Sequence, residues 1–351
     1  MLFRKGYIPW FWLISLASLG VQKPAKQHCL SCYSFLAYPS PNGQYIAVEN
    51  NNGQIALYNR IGRLLYRFPS QFSFFPANFT PWGQQSHFLY LLVGDHNVKQ
   101  VARFNVFTKR YHFVETGGFL TAKLVPSPNG RYIALDVNLP NTSRALLGIW
   151  DTLAQKPHQQ VLLYPFRLDV EKFAWVTDRL LFVNTNGLDL EVDAHSRPSQ
   201  AAYMGRDEDF LLDRRLMTSR QLPLPFRITQ LAPYADASGR IVVLARQRQS
   251  GLMAVVSIDP ATGASHVEKE LPASTKSPWL LTWSSPQRVY VWRWRQAGEI
   301  EVYVYRSLAR PHVGALQVVK VPMSISFVAD SAGRVWGYDG KRLRFVQLPL
   351  K

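Results

Sequence analysis

A polar turn followed by a short apolar strand recurs along the chain, and this repeat constrains the fold more than any other feature. Two copies are nearly identical, one at residues 39–48 (PSPNGQYIAV) and one at residues 126–135 (PSPNGRYIAL). Such self-similarity is the signature of a repeat protein, in which each unit buries its apolar face against its neighbours. The sequence therefore predicts one repeat domain over residues 35–351 rather than several independent domains.

Strands predicted from alternating apolar residues group into seven units, and a strand-ending Asn or Asp marks five of these units. The five residues are Asn59, Asn105, Asp151, Asp193 and Asp259. Asn and Asp suit the end of a strand because their side chains accept hydrogen bonds from backbone amides two residues on, which starts a tight turn. The last interval is the longest, so we place an insertion near Arg206–Phe226, with a short helix around Asp209–Met217.

Short strands in units of about 45 residues predict an all-β fold of the β-propeller type, built from four-stranded blades. We expect seven blades, with six as the alternative if the irregular fourth and fifth units merge. The last unit shows no obvious fourth strand. Because closure of the ring removes exposed sheet edges, residues 22–34 are expected to supply a closing strand, or else to serve as a linker.

The first 21 residues have the pattern of an export signal. Arg4 and Lys5 precede an apolar run from Tyr7 to Leu19, and small residues follow at cleavage spacing. The run is shorter than the roughly 20 residues that span a bilayer comfortably. We therefore predict a signal peptide and an exported, periplasmic protein, with a membrane anchor through residues 7–21 as the alternative.

The chain has two cysteines, Cys29 and Cys32. In an oxidising compartment this spacing favours a local disulfide, although so small a loop contributes little to stability. A redox-active pair and a metal site with His28 stay open as alternatives. Haem attachment is not indicated, because the residue after Cys32 is Tyr33 rather than histidine.

The chain is strongly basic, with 40 Lys and Arg against 23 Asp and Glu and a net charge of +17. No run of Lys or Arg is longer than two residues, so this charge is spread over the surface. An exported protein of this kind is expected to be drawn to an acidic protein, an anionic polymer or a membrane surface. Export argues against a nucleic acid as the partner.

Sequence motifs of common enzymes are missing from the chain. It contains no nucleophile elbow, no phosphate-binding loop and no dinucleotide-binding glycine pattern. Asp189, Glu191 and Asp193 alternate with apolar residues, as on a solvated strand face or in a site for a hard cation. We expect binding rather than catalysis, with no cofactor and no metal.

Two groups of residues are candidates for binding a partner. One predicted strand carries Trp292, Arg293, Trp294 and Arg295, with the aromatic residues on one face and the arginines on the other. Exposed aromatic residues beside arginine suit a sugar or an extended partner, and packing between blades requires large apolar residues at the same positions. The second group lies in the predicted insertion, where loops commonly carry specificity. It consists of Arg206, Asp207, Glu208, Asp209, Arg214 and Arg215.

Residues 40–47 (SPNGQYIA) and 127–134 (SPNGRYIA) resemble the SPDG element of TolB-type, WD-like propeller blades, with Asn in place of the usual Asp. Weaker versions occur at residues 236–242 and 330–336. This resemblance implies an interaction scaffold. We therefore expect an exported scaffold for protein–protein interaction in a bacterial envelope complex. The alternative is a carbohydrate-binding lectin, or a propeller hydrolase or lyase, that acts on an envelope polymer.

Overall fold

The computed structural model describes most of the chain from residue 36 onward. The described segments are 36–49, 52–74, 81–94, 100–114, 123–138, 145–153, 161–166, 169–186, 207–248, 250–273, 277–296, 298–307, 311–321, 327–329, 335–339, 344–348 and 350. The predicted signal peptide, Cys29, Cys32 and the predicted closing strand lie outside these residues. Among the described residues there is no helix with the length and apolar character of a membrane span.

The described chain forms seven consecutive antiparallel sheets. The first contains β1 (Leu36–Pro39), β2 (Tyr45–Glu49), β3 (Ile55–Asn59) and β4 (Leu64–Arg67). The second contains β5 (Phe72–Ser73), β6 (Phe88–Val93), β7 (Gln100–Asn105) and β8 (Arg110–Val114). The third contains β9 (Leu124–Pro126), β10 (Tyr132–Asn138), β11 (Ala145–Asp151) and β12 (Val161–Phe166). The fourth contains β13 (Asp169–Trp175), β14 (Leu180–Asn186), β15 (Asp207–Asp213) and β16 (Thr218–Leu222).

The remaining three sheets follow in the same order. The fifth contains β17 (Phe226–Leu231), β18 (Ile241–Gln247), β19 (Met253–Ile258) and β20 (Ser265–Glu270). The sixth contains β21 (Leu280–Ser285), β22 (Arg288–Gln296), β23 (Glu299–Arg306), β24 (His312–Val313) and β25 (Gln317–Lys320), the last two both pairing with β23. The last contains β26 (Phe327–Ala329), β27 (Val335–Asp339) and β28 (Arg344–Gln347).

This arrangement confirms the predicted all-β propeller. Six sheets have four or more strands and form six complete blades, the number given by the alternative, although the fourth and fifth units form separate sheets and do not merge. These six sheets are numbered blades 1 to 6 in chain order. The sheet of β26, β27 and β28 has three described strands. Blades 1 to 5 are simple meanders, because within each of them every strand pairs with the next one along the chain, whereas β24 and β25 of blade 6 both pair with β23.

Apolar side chains fill the spaces between successive sheets. Middle strands are covered on both faces by neighbouring blades, so they appear in the sequence as continuous apolar runs. In β18, for example, the first five residues are all buried. Outer strands face water, and β20 is mostly exposed. The periodicity of the sequence therefore changes from continuous to alternating or polar across each blade.

The fourth blade corrects two predictions. Residues Asp207–Asp213 and Thr218–Leu222 are its third and fourth strands. The insertion predicted near Arg206–Phe226 and the short helix predicted at Asp209–Met217 are therefore both wrong. Strand β15 pairs along its whole length with β14, from Leu180 opposite Asp213 to Asn186 opposite Asp207. The long connection thus consists of residues 187–206, outside the described residues, and it includes the predicted strand with Asp189, Glu191 and Asp193.

Candidate functional site at the turn end of the propeller

Two sets of turns lie together at one end of the propeller, which we call the turn end. One set joins the first and second strands of each blade, and the other joins the third and fourth. In each of the first four blades a backbone amide just after the third strand donates to a carbonyl of the first set. These bonds run from Arg60 to Gln44 (2.9 Å), Val106 to His87 (3.1 Å), Thr152 to Arg131 (2.8 Å) and Arg214 to Arg179 (3.1 Å).

The repeated SPNG sequence forms a turn that is closed by its own side chains. The Ser40 hydroxyl accepts a hydrogen bond from the Tyr45 amide (3.0 Å) and donates to Asn42 Oδ1 (2.8 Å). Ser127 makes the same bonds with Tyr132 and Asn129, at 3.0 and 2.8 Å. An Asn side chain therefore fills the place of the usual Asp as a hydrogen-bond acceptor.

These turns also connect each blade to a neighbour. The Asn42 amide of blade 1 donates to the Ser86 hydroxyl of blade 2 (2.9 Å), and the Asn129 amide of blade 3 donates to an Asp178 oxygen of blade 4 (2.9 Å). Between blades 5 and 6, the Tyr305 hydroxyl donates to Asp236 Oδ2 (2.7 Å). Burial and this carboxylate raise the pKa of Tyr305, so the hydroxyl stays protonated and keeps donating. Hydrogen bonds at the turn end thus join blade 1 to blade 2, blade 3 to blade 4 and blade 5 to blade 6.

A single tyrosine crosses the middle of the ring at this end. The Tyr234 hydroxyl of blade 5 donates to the Trp82 carbonyl of blade 2 (3.3 Å), and its ring lies 5.0 Å from that of Trp283 in blade 6. Trp175 of blade 4 hydrogen-bonds the backbone on both sides of Tyr234. Blades 2 and 5 are not neighbours, so a bond between them must cross the axis. Tyr234 is 1% exposed, and burial raises its pKa well above the usual value, which keeps it a donor.

In blades 1 to 5, the turns between third and fourth strands share one geometry. In each, the side-chain oxygen of the strand-ending Asn or Asp accepts the amide hydrogen two residues on. The pairs are Asn59 with Ile61 (3.2 Å), Asn105 with Phe107 (2.9 Å), Asp151 with Leu153 (3.0 Å), Asp213 with Arg215 (2.9 Å) and Asp259 with Ala261 (2.8 Å). The predicted turns at Asn59, Asn105, Asp151 and Asp259 are confirmed, and Asp213 holds the place predicted for Asp193.

Large apolar side chains stand exposed at the tips of four of these turns, in four consecutive blades. Their exposed fractions are 75% for Ile61, 60% for Phe107, 61% for Leu153, 63% for Leu216 and 61% for Met217. Sequence reasoning missed them, although a simple signal existed. Each lies two to four residues after the strand-ending Asn or Asp.

Arginine side chains surround these tips and hold the turns. Arg131 forms an ion pair with Asp151 (2.7 Å), and Arg179 donates from Nε to Asp213 (2.7 Å). The hydrogen bond from Arg179 is the main reason that the pKa of Asp213 lies below its usual value. The Arg214 guanidinium lies 3.5 Å from the centre of the Tyr132 ring, which joins blades 4 and 3.

We expect the Asp213 turn to lose its contribution to stability in acid. The folded pKa of Asp213 lies below its usual value of 3.8. Its contribution is therefore complete above about pH 4 and is lost as the pH falls through the folded pKa. It amounts to about 1 kcal/mol or less, as for other exposed ion pairs. Urea unfolding at pH 6 and pH 3 measures it, and Asp213→Asn should show a smaller loss of stability over that range. An equal loss would contradict the assignment.

The candidate residues of β22 lie away from the turn end, toward the opposite end of blade 6. Trp292 is buried, donates to the Thr282 hydroxyl (3.0 Å) and packs with Trp294 in the apolar cluster that reaches Leu348. The structure therefore places both tryptophans in the packing between blade 6 and the last sheet.

The two arginines of β22 occupy the other face of the strand. Arg293 donates to Glu301 (2.6 Å) and to the Pro272 carbonyl (3.3 Å), and it stacks on Trp279 at 4.4 Å. It thereby fixes the connection between blades 5 and 6. The Arg295 side chain is 55% exposed and lies 3.9 Å from a carboxylate oxygen of Glu301.

The candidate residues of the fourth blade are divided between its two ends. Asp207, Glu208 and Asp209 begin β15 at the end opposite the turns, and Asp209 is buried and accepts a hydrogen bond from Asn184 (2.9 Å). Arg214 and Arg215 follow the same strand at the turn end. Arg206 lies outside the described residues. The described residues contain no cluster of His, Cys, Asp or Glu that would hold a metal ion.

Comparison with known proteins supports the fold. No family model matches the sequence, and no curated protein matches it. The β-propeller domain of the trilobed protease from Pyrococcus furiosus is 12% identical, with a TM-score of 0.57 over 90% of this chain and 94% of that one. Oligogalacturonate lyase from Vibrio parahaemolyticus is 10% identical, with a TM-score of 0.55 over 90% of both chains. These two comparisons establish the β-propeller fold.

TolB from Acinetobacter baumannii is also among the structural neighbours. It is 12% identical, with a TM-score of 0.44, and the match covers 80% of this chain and 65% of that one. The chain is a β-propeller, and TolB is one of the structures that it resembles at low identity.

Proposed function

We propose that the protein is an exported, periplasmic β-propeller that serves as a protein-binding scaffold in a bacterial envelope complex. The observation that carries this proposal is Tyr234, which crosses the ring from blade 5 to blade 2 at the turn end. A propeller that acts on a ligand in its central channel needs that channel open. With the middle of one end filled by a buried side chain, binding is favoured on the outer surface.

We propose that the protein partner contacts the end opposite the turns. Strand β14 ends at Asn186 and β15 begins at Asp207, so the connection of residues 187–206 leaves and re-enters the propeller there. Arg295 lies at the same end of blade 6 and exposes its guanidinium beside Glu299 and Glu301. Long loops on a rigid support commonly carry specificity, which supports this end as the partner site.

The last sheet supports a further part of the proposal. Within the described residues, β28 pairs only with β27, which leaves its outer edge without a strand. An exposed edge invites pairing with another strand. We propose that residues 22–34 add this strand and complete a seventh blade, with Cys29 and Cys32 joined in a local disulfide.

Crosslinking in the source bacterium tests the scaffold proposal. Tagged protein recovered from envelope fractions is expected to carry one defined protein partner, and Arg295→Glu should reduce that recovery about tenfold because it reverses an exposed charge at the contact. Arg110→Glu is the matched control, since Arg110 is an exposed arginine at the start of β8, at the turn end and away from the proposed contact. Repeated recovery of the protein alone would contradict the proposal.

An activity assay tests the alternative function. One structural neighbour is an oligogalacturonate lyase, which makes that acidic sugar polymer the substrate to try first. We expect neither cleavage nor binding of oligogalacturonate. Turnover by the purified protein would show that its function is that of a lyase and not of a scaffold. Saturable binding without turnover would show that it is a lectin.

A further inference from the structure

The exposed tips at the turn end are not required by the turns that carry them. Blade 5 has the same turn after Asp259, but its tip consists of Pro260, Ala261 and Thr262. The hydrogen bonds that define the turn come from the strand-ending side chain and the backbone, so any residue at the tip can satisfy them. Within the fold, Phe107 makes edge contacts with His87 (5.1 Å between ring centroids) and Tyr45 (6.5 Å), yet it remains 60% exposed. The large exposed fraction of all five tip residues therefore indicates a contact outside the fold.

The backbone at Met217 strengthens this point. Met217 has a φ of 53°, in the left-handed region that favours glycine. The corresponding turns of blades 1 and 5 place glycine in this conformation, at Gly62 (φ 84°) and Gly263 (φ 78°), and the turn of blade 2 places Lys109 there (φ 55°). Met217 is 61% exposed, so packing does not compensate for the unfavourable conformation. Glycine or a charged residue fills this position in these other turns, so an exposed methionine supports a contact with something outside the chain.

The turn end also carries an excess of positive charge. In the described turns of the first four blades, basic residues outnumber acidic ones by eight to three. The basic residues are Arg60, Arg63, Lys109, Arg110, Arg131, Arg179, Arg214 and Arg215, and the acidic residues are Asp151, Asp178 and Asp213. Two of these carboxylates are already paired with arginine. The end therefore presents a positive field to any surface that it approaches.

We propose that the turn end docks on an anionic lipid bilayer, with the apolar tips of blades 1 to 4 in the headgroup region and the arginines and Lys109 against the lipid phosphates. Apolar residues bordered by Lys and Arg are the composition of surfaces that lie in the membrane interface. The proposal goes beyond the scaffold function and does not depend on it, because the protein partner is placed at the opposite end.

The arrangement of the tips favours lipid over a protein as the occupant. Each tip belongs to a different blade and stands on its own turn. A protein partner would need a separate matching pocket for each of them. A fluid bilayer accommodates apolar side chains at any spacing. The hydrogen bonds between blades already order the turns, so binding would not have to order them.

Vesicle sedimentation with the full chain tests the proposal. The vesicles contain phosphatidylcholine alone or with phosphatidylglycerol. We expect at least tenfold stronger partitioning onto the anionic vesicles. Changing all five tip residues, Ile61, Phe107, Leu153, Leu216 and Met217, to serine should reduce that partitioning by at least about a hundredfold, because each large apolar side chain that leaves water contributes about tenfold.

The matched control changes apolar residues that are exposed elsewhere. Leu252, Leu316 and Val318 are 38%, 40% and 48% exposed and lie away from the turn end, so serine at these positions should leave vesicle binding unchanged. Both variants keep the apolar run of residues 7–19, so any binding through that run is common to them. The urea midpoints of all variants verify that each is folded.

Met217→Gly separates a contact with lipid from a role in folding. It should lower vesicle partitioning severalfold while leaving the urea midpoint unchanged or higher, because glycine adopts the left-handed conformation without strain. Equal partitioning of wild type and five-tip variant would overturn the proposal, as would equal binding to neutral and anionic vesicles. Loss of a captured acidic protein by the five-tip variant, with vesicle binding intact, would assign the surface to a protein instead.

Discussion

Replacing Tyr234 by alanine is expected to lower the free energy of unfolding by about 4 kcal/mol. The side chain is buried on the axis, where it contacts residues of several blades, and its removal leaves a cavity that the packed blades around it cannot collapse to fill. Unfolding in urea, followed by tryptophan fluorescence, measures the loss. Trp175 and Trp283 lie beside the substituted position and serve as local reporters.

Tyr234→Phe is the control for the size of this effect. It keeps the ring in place and removes only the hydroxyl that donates to the Trp82 carbonyl, so a loss of about 1 kcal/mol is expected. The phenylalanine variant should also recover the envelope partner as the wild type does, because the proposed partner site is at the other end. Equal stability of wild type and the alanine variant would show that this side chain does not fill the axis.

Gly148→Ala is expected to destabilise the protein by about 3 kcal/mol through overpacking. A methyl group on Gly148 would lie 2.0 Å from Trp150 Cζ3 and 2.3 Å from Trp150 Cη2. Trp150 is fully buried in the apolar cluster between blades 2 and 3, so its ring has no free space into which to move. The urea midpoint of the variant measures the cost.

A double-mutant cycle with Trp150→Leu identifies the source of this cost. The leucine variant alone should also lose stability, because it leaves a cavity between the two blades. In its background, Gly148→Ala should be close to neutral, since the clashing ring is gone. The same cost in both backgrounds would show that the methyl group meets something other than Trp150.

The repeat made much of the fold predictable from the sequence. Turns at Asn59, Asn105, Asp151 and Asp259 depend on a local rule, in which a side-chain oxygen accepts a nearby amide hydrogen, and local rules can be followed along a chain. The packing of Trp292 against the last sheet follows equally from alternation on one strand face. For these elements the sequence pattern and the structure agree.

The fourth blade was mispredicted because its pairing is not local. Residues 188–193 alternate as a strand does, and they end in Asp193, as a third strand should. The strand that pairs with β14 nevertheless begins at Asp207, beyond a long connection. Residues 188–193 and Asp207–Asp213 both have the sequence pattern of a third strand. Only the backbone pairing with β14 shows which of them occupies that position.

The candidate surface at the turn end could be predicted only in part. The tip positions follow from the strand-ending Asn or Asp, so Ile61, Phe107 and Leu153 could be found by counting two residues on. Their common location could not, because it depends on hydrogen bonds such as that from Asn42 to Ser86 between separate blades. The charge excess could be counted from the sequence, but its position at one end could not.

The turn after Asp259 shows how freely this architecture can be redirected. It keeps the shared hydrogen-bond geometry with a short, weakly apolar tip, while its counterpart after Asn105 carries phenylalanine. The hydrogen bonds that form such a turn therefore use different atoms from those that a binding partner of the turn end would contact. A few substitutions at the tips would change what this end binds and leave the fold unchanged.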